Sequence, residues 1–494
     1  MKDTMTTAAP HKPDTTLVLL ATACASYLSR LDSHVVNISL PSIAAQFDIG
    51  TTKASAIVVA NLLTSTSALI LAGKIGDKIG LVRLFKWGYA ISIFSSLACA
   101  FAPSFSFLVA ARAVQGLGSA ILQAMGFAIV AAYMPREKTG RAFATVSTAA
   151  ALGMLTGAPL GGFITQLLSW RWAFMATPPV AVAAILTLNR ALPNQKGADS
   201  DGHQLEVSGA LSIFAALSAL VLGLNAAKYY GWHSPATALS FTAAAVAALL
   251  FLHYDKTAAR PLFKSAVFKN KVFLHASVAQ FFAYMLLTGS NFFFPFYLVL
   301  YRGLSTAQAG LCMMVYSVAY IIFAPLAGRM ADRVNPPLLC TAGMASGALA
   351  ALLFPLVLKT GGHAAGLIWL VWLAASYSFT LAPNNAFAMR GNKGTDQGTA
   401  AGIYNTMANL GMILGVLFME TAFVWKLPSH QATVQYLSAL PRVELAGAFG
   451  RAYAAGAVAC LFSMALALLM LRDSLKLARR NLQCNQPKTI TPLP

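Results

Sequence analysis

The chain has 494 residues, 57% of them hydrophobic and only 10% charged, with a mean hydropathy of +0.65. A soluble domain usually carries about 25% charged residues, so this sequence lacks the polar surface that a soluble fold of its length would need. The net charge of +20 comes from basic residues that punctuate apolar runs instead of forming a patch, which excludes a nucleic-acid binder and fits the loops of a membrane protein.

Met1 to Asp14 is polar, and the apolar run after it is too long for the core of a cleavable signal, so a retained first helix is predicted. Crossing about 30 Å of hydrocarbon at about 1.5 Å per residue takes roughly 20 residues. That ruler predicts fourteen spans, over residues 16–38, 54–73, 84–103, 105–133, 142–166, 172–190, 207–227, 235–253, 272–300, 309–328, 338–358, 364–389, 400–425 and 447–471. Lys and Arg concentrate in alternate loops, among them Lys74, Lys78, Arg83, Arg136, Lys256, Lys264, Arg333, Arg472 and Arg480. By the positive-inside rule both termini are then cytoplasmic. The expected layout is a cytoplasmic tail (1–15), a six-helix bundle (16–190), a linker with two extra helices (191–271), a second six-helix bundle (272–471) and a basic tail (472–494).

Within the first span the run Leu31-Asp32-Ser33-His34-Val35-Val36-Asn37-Ile38-Ser39-Leu40-Pro41 carries a lone carboxylate about 24 Å along the helix. A carboxylate at that depth is costly unless protonated, paired or facing water. After the second span stands Gly73-Lys74-Ile75-Gly76-Asp77-Lys78-Ile79-Gly80-Leu81-Val82-Arg83. Its pattern returns as Gly328-Arg329-Met330-Ala331-Asp332-Arg333 at the equivalent point of the last six spans, which indicates duplicated halves. The fourth span holds Arg112-Ala113-Val114-Gln115-Gly116-Leu117-Gly118, whose guanidinium must be paired, hydrated or used. The fifth holds Gly153-Met154-Leu155-Thr156-Gly157-Ala158-Pro159-Leu160-Gly161-Gly162, with a G-x-x-x-G face for close helix contact and a proline that softens the backbone.

Together these four segments resemble the Major Facilitator Superfamily, in particular its fourteen-helix drug:proton antiporter branch (EmrB/QacA-like). The resemblance implies an all-α polytopic fold of two pseudo-symmetric six-helix bundles with two inserted central helices. It implies proton coupling at Asp32 and Arg112, and a cytoplasmic gate motif at Gly73, Asp77, Gly80 and Arg83, repeated at Gly328, Asp332 and Arg333. It also implies a helix-bending antiporter motif at Gly153, Gly157, Pro159, Gly161 and Gly162, although the proline stands one residue late, with Ala158 where the family has proline. The expected function is proton-driven export of a small amphipathic organic compound, drug or metabolite, by alternating access, with multidrug efflux and antibiotic resistance as its setting. The expected location is a bacterial inner membrane.

Relatives have apolar and hydroxyl residues beside the aspartate, where this chain has Arg30 and His34, which share a helix face. One reading makes them contacts for an anionic or zwitterionic solute, with His34 a second proton site. The other pairs Arg30 with Asp32. Asn37, Gln115 and Asn384 are further candidates for solute contact, and Asn384 with Asn385 follows a helix-breaking Pro383. Glu420 is expected near an outer helix end, where a solvated carboxylate is ordinary, and Glu206 opens the seventh span. Nine aromatic residues from Phe281 to Tyr301 could line a solute cavity or fill a core.

Six scattered cysteines without C-x-x-C spacing read as small hydrophobes, so neither metal nor cofactor is expected, and the proton gradient supplies the energy. No G-x-x-x-x-G-K-[ST], H-E-x-x-H or G-x-S-x-G occurs, which argues against a nucleotide-driven pump and against an enzyme. An uptake carrier for an anionic metabolite is the alternative transport reading, and a membrane enzyme or receptor the alternative from another class. Expected partners are the organic solute, protons and lipid, with a periplasmic adaptor in a Gram-negative cell; the chain is expected to be monomeric.

Overall fold

A computed structural model describes residues 14–135, 137–192, 207–231, 233–257, 270–360, 362–390, 396–427 and 433–484. The described residues are helical almost throughout, and the sole β feature among them is one bridge between Gly50 and Thr433. The helices are α1 (Thr15–Gln46), α2 (Thr51–Ile79), α3 (Leu81–Ala100), α4 (Phe105–Tyr133), α5 (Thr139–Leu167), α6 (Trp170–Met175), α7 (Thr177–Ala191), α8 (Val207–Tyr230) and α9 (Pro235–Thr257). After these come α10 (Lys271–Phe296), a π turn (Tyr297–Tyr301), α11 (Thr306–Arg333), α12 (Pro336–Leu352), α13 (Phe354–Thr360), α14 (His363–Arg390), α15 (Asp396–Val424), α16 (Val434–Ala439) and α17 (Arg442–Cys484).

Every predicted span falls on helix. Among the described residues ten helical segments are long and apolar enough to cross a membrane. The remaining predicted spans lie on α1, α2, α3 and α8, where polar residues dilute the apolar run or the run is short. Membrane helices that hold a polar network inside a bundle carry that signature. The chain is a multi-pass integral membrane protein.

Local chemistry explains the ends and breaks. Asp14 caps α1 by accepting from the backbone N–H of Thr16 and Leu17, and Ser104 caps α4. The predicted sixth span is two helices, because Pro178 and Pro179 cannot donate to the preceding turn and restart the helix at α7. Between α2 and α3 the chain turns at Gly80 with φ of +96°, a conformation that a side chain would strain.

Two compact units emerge. Unit 1 comprises Met1–Ala258, Leu298–Met314 and Thr433–Gln435, and unit 2 comprises Ala259–Tyr297, Val315–Ala432 and Tyr436–Pro494. In unit 1 α5 packs along α1, α4 packs against α2 and α3, and the α8–α9 pair joins through α2. A Cβ at Gly153 would collide with the Tyr27 carbonyl, and one at Gly157 would lie 3.0 Å from the Leu31 carbonyl and 2.8 Å from Cβ of His34. Both glycines are therefore required for this approach. Unit 2 repeats the contact between α10 and α15, where Gly411 and Gly415 press on the carbonyls of Phe281 and Met285. Its core is aromatic: Phe292, Phe293, Phe294, Phe296 and Tyr297 are buried, with Phe294 stacked on Trp369 at 5.5 Å and Phe354 tilted against Tyr453 at 3.9 Å. Those five rings of the α10 segment fill a core.

Candidate functional site

The polar centre of unit 1 is built where α1, α3 and α4 meet. Arg112 stands one turn before Gln115 on α4, so both side chains leave the same face. That face turns toward α1 and brings the Arg112 Nη1 to 2.7 Å from Asp32 Oδ2. The amide of Gln115 closes the set: its Nε2 donates to Asp32 Oδ1 at 3.0 Å and to Ser96 Oγ of α3 at 2.9 Å. Its Oε1 accepts from Arg112 Nη1 at 2.6 Å. Arg112 further donates through Nε to the Ile57 carbonyl of α2 at 3.4 Å, and its guanidinium lies 5.8 Å from the Phe174 ring centre. Asn61 of α2 donates to the Arg112 carbonyl at 3.4 Å.

Both members are paired and hydrogen-bonded, which is the condition under which opposite charges persist in a low-dielectric interior. The Arg112 side chain is 3% exposed and that of Asp32 13%, so the carboxylate is the edge of the network that solvent can reach. Arg112 also retains acceptors other than the aspartate, namely Gln115 Oε1 and the Ile57 carbonyl. A change of charge on Asp32 would not leave the guanidinium without partners.

Arg30 does not pair with Asp32, whose ionic partner is Arg112. Arg30 is exposed, Asn37 half-buried, and both ring nitrogens of His34 are buried without a side-chain hydrogen-bond partner. Gln115 is 3% exposed inside the network just described. Asn384 lies in unit 2, where its Nδ2 donates to the Ala276 carbonyl at 3.0 Å, to Gln280 Oε1 at 3.1 Å and to the Tyr404 hydroxyl at 2.9 Å. On α5, Gly161 packs on Val35 and Ile38, Gly162 packs on the Thr306 carbonyl, and Pro159 sits inside the continuous helix. In the gate segments Gly73 and Gly328 face open space and Arg83 and Arg333 are exposed. The side chain of Asp77 and all of Glu206 lie outside the described residues, while Asp332 keeps an interaction within its surroundings.

Three placements depart from the sequence reading. Pro383 does not break its helix: α14 runs through it from His363 to Arg390 with Asn384 inside, since the backbone groups a proline frees in a membrane helix find other partners. Glu420 is fully buried in α15, not solvated at a helix end, and it has an interaction partner. The reason is packing: its position falls on the α15 stripe that carries Val416, Leu417 and Phe423 into the core. Ser96, a hydroxyl in an apolar run, completes the Gln115 contacts without any motif to announce it.

Residues 22–416 match the family model described as Major Facilitator Superfamily. The chain belongs to this superfamily. Its members' shared trait here is transport: the chain is a transporter, not an enzyme. It is 25% identical to the riboflavin transporter RibZ of Clostridioides difficile over 458 residues, covering 93% of this chain and 98% of that one. Identity is 26% to the multidrug resistance protein Stp of Mycobacterium tuberculosis, over 81% of this chain and 74% of the relative. With the methylenomycin A resistance protein of Bacillus subtilis it is 30%, over 68% and 72%. Among solved structures, a D-xylose–proton symporter superposes with a TM-score of 0.62 at 15% identity, covering 91% of this chain and 97% of that one. A bacterial homologue of the human lysosomal transporter Spinster gives 0.63 at 14%, over 93% and 97%. These likenesses speak for the superfamily fold.

Proposed function

We propose that this transporter exports a small amphipathic organic compound in exchange for protons, by alternating access, as a member of the fourteen-helix drug:proton antiporter branch. The observation that carries the reading is the Asp32–Arg112–Gln115 network: a carboxylate at the accessible edge of a buried charge pair whose cation has other acceptors. Proton binding at Asp32 removes one charge of the pair and frees the guanidinium to turn fully to Gln115 and Ile57. That is a discrete two-state change of the kind that can bias a conformational equilibrium. The glycine face of α5 against α1 would carry the change, because two backbones in contact move as one body. Resistance proteins among the relatives favour export of a foreign compound, and the riboflavin transporter shows that one relative handles a metabolite. A bacterial inner membrane, cytoplasmic termini and a monomer complete the reading.

Inverted vesicles energised acid inside test it. Addition of a transported solute is expected to release luminal protons in the native protein, and Asp32→Asn is expected to abolish that release while leaving the protein folded. Solute movement that ignores both the gradient and Asp32 would leave an uptake carrier or facilitator instead.

A further inference from the structure

The opposite side of α1 has a polar pattern that the charge network does not use. Ser26, Arg30, Ser33 and Asn37 recur at i, i+4, i+7 and i+11, which places them on one stripe of the helix. Asp32 leaves the helix on the far side, two residues or roughly 200° round from Arg30. None of the four stripe residues is buried, and Arg30 is exposed, whereas Leu28, Leu31, Val35 and Ile38 are packed into unit 1. Arg30 and Asn37 make no side-chain hydrogen bond or ion pair with any described residue. At the edge of the stripe the Cβ of His34 lies against Gly157, and its two ring nitrogens are buried with no side-chain hydrogen-bond partner.

Depth turns this pattern into a statement about ligand. Arg30 lies near the middle of a 32-residue helix, about 22 Å from its start. A guanidinium there is beyond reach of lipid phosphates, and facing hydrocarbon it would cost at least about 2.5 kcal/mol. Water or a solute must therefore face it. Asp32 and Arg112 cancel each other, so among the described residues of α1 and α4 Arg30 leaves an uncompensated positive charge. The His34 imidazole adds two ring nitrogens able to hydrogen-bond beside that charge.

We infer that this stripe is the solute-recognising face of α1 and that it selects compounds bearing an oxyanion, such as an aromatic carboxylate or sulfonate. Arg30 binds the anion, and His34 and Asn37 hydrogen-bond the polar groups beside it. The inference rests on the chain being an exporter of organic compounds, and it gives that reading a charge class.

The test uses full-length Ser33→Cys protein in liposomes without any gradient, so it is independent of proton coupling at Asp32. Modification at position 33 is followed by mass spectrometry with two thiol reagents of similar size, anionic sulfonatoethyl and cationic trimethylammonioethyl methanethiosulfonate. The anionic reagent is expected to react faster, and adding Arg30→Gln is expected to reduce the anion-to-cation rate ratio about tenfold, with Arg30→Lys preserving it. Fluorescein, an aromatic carboxylate, is expected to slow the reaction, whereas rhodamine 123, a cationic ester on the same ring system, does not. Position 33 unreactive to both reagents, a ratio indifferent to Arg30, or absent or equal protection by the two dyes overturns the inference. None of those results bears on Asp32→Asn in the vesicle assay, so either reading can fail alone.

Discussion

Units 1 and 2 use the same helix clasp and fill it with different chemistry. In unit 1 Gly153 and Gly157 of α5 close on the carbonyls of Tyr27 and Leu31, and in unit 2 Gly411 and Gly415 of α15 close on those of Phe281 and Met285. The two contacts share one register. Asp32, the residue after Leu31, then corresponds to Leu286, the residue after Met285, which is fully buried. Where unit 1 places a charge pair held by an amide, unit 2 places an apolar side chain, an aromatic core and the neutral Asn384–Gln280–Tyr404 set. Glycine spacing belongs to the architecture that both halves need. The carboxylate at this register position occurs in unit 1 and not in unit 2.

The largest effect that would sharpen this contrast is expected from Arg112→Gln. Removing Arg112 leaves the 13%-exposed Asp32 carboxylate with Gln115 as its remaining donor, and breaking a fully buried pair costs about 3–5 kcal/mol, which sets the upper end of the loss. Thermal unfolding of the purified protein should show a deep loss that Asp32→Asn in the same chain largely restores, while proton release stays absent. If the single variant were as stable as the native protein, the pair would not be the buried network described. Next come the two clasps. Gly153→Ala and Gly411→Ala each force a Cβ against a backbone carbonyl, a strain of about 1–3 kcal/mol. Comparable losses of midpoint in both units are expected; a loss in one unit alone would break the architectural equivalence. Smallest is Ser96→Ala, which removes one acceptor from Gln115 and is expected to cost about 1 kcal/mol. Its transport rate should fall modestly, with Gln115 still on Asp32, and a complete loss of activity would mean that Ser96 does more than position the amide.

Helix existence was legible because a membrane leaves the backbone no partner but itself, so length and hydropathy alone mark each segment. The break at Ala176 was not marked, since the prolines that cause it sit inside an otherwise continuous apolar run. Of the candidate site, Asp32 and Arg112 stood out as charges within apolar helices, where every such residue demands an explanation. Gln115 was visible only as part of a motif, and its position between Asp32 and Ser96 followed from how α3 and α4 pack. Glu420 was misjudged for the converse reason: nearness to a helix end in sequence does not say which side of the helix is covered.

Taken alone, the sequence determined that this protein crosses a membrane many times, that its halves repeat, and that it spends intramembrane charges at Arg30, Asp32 and Arg112. It left open which of the two arginines meets the carboxylate. Tertiary structure decided that, because Arg30 and Asp32 leave one helix on opposite sides while Arg112 arrives from another, and a side chain two residues away cannot turn through the helix that carries it.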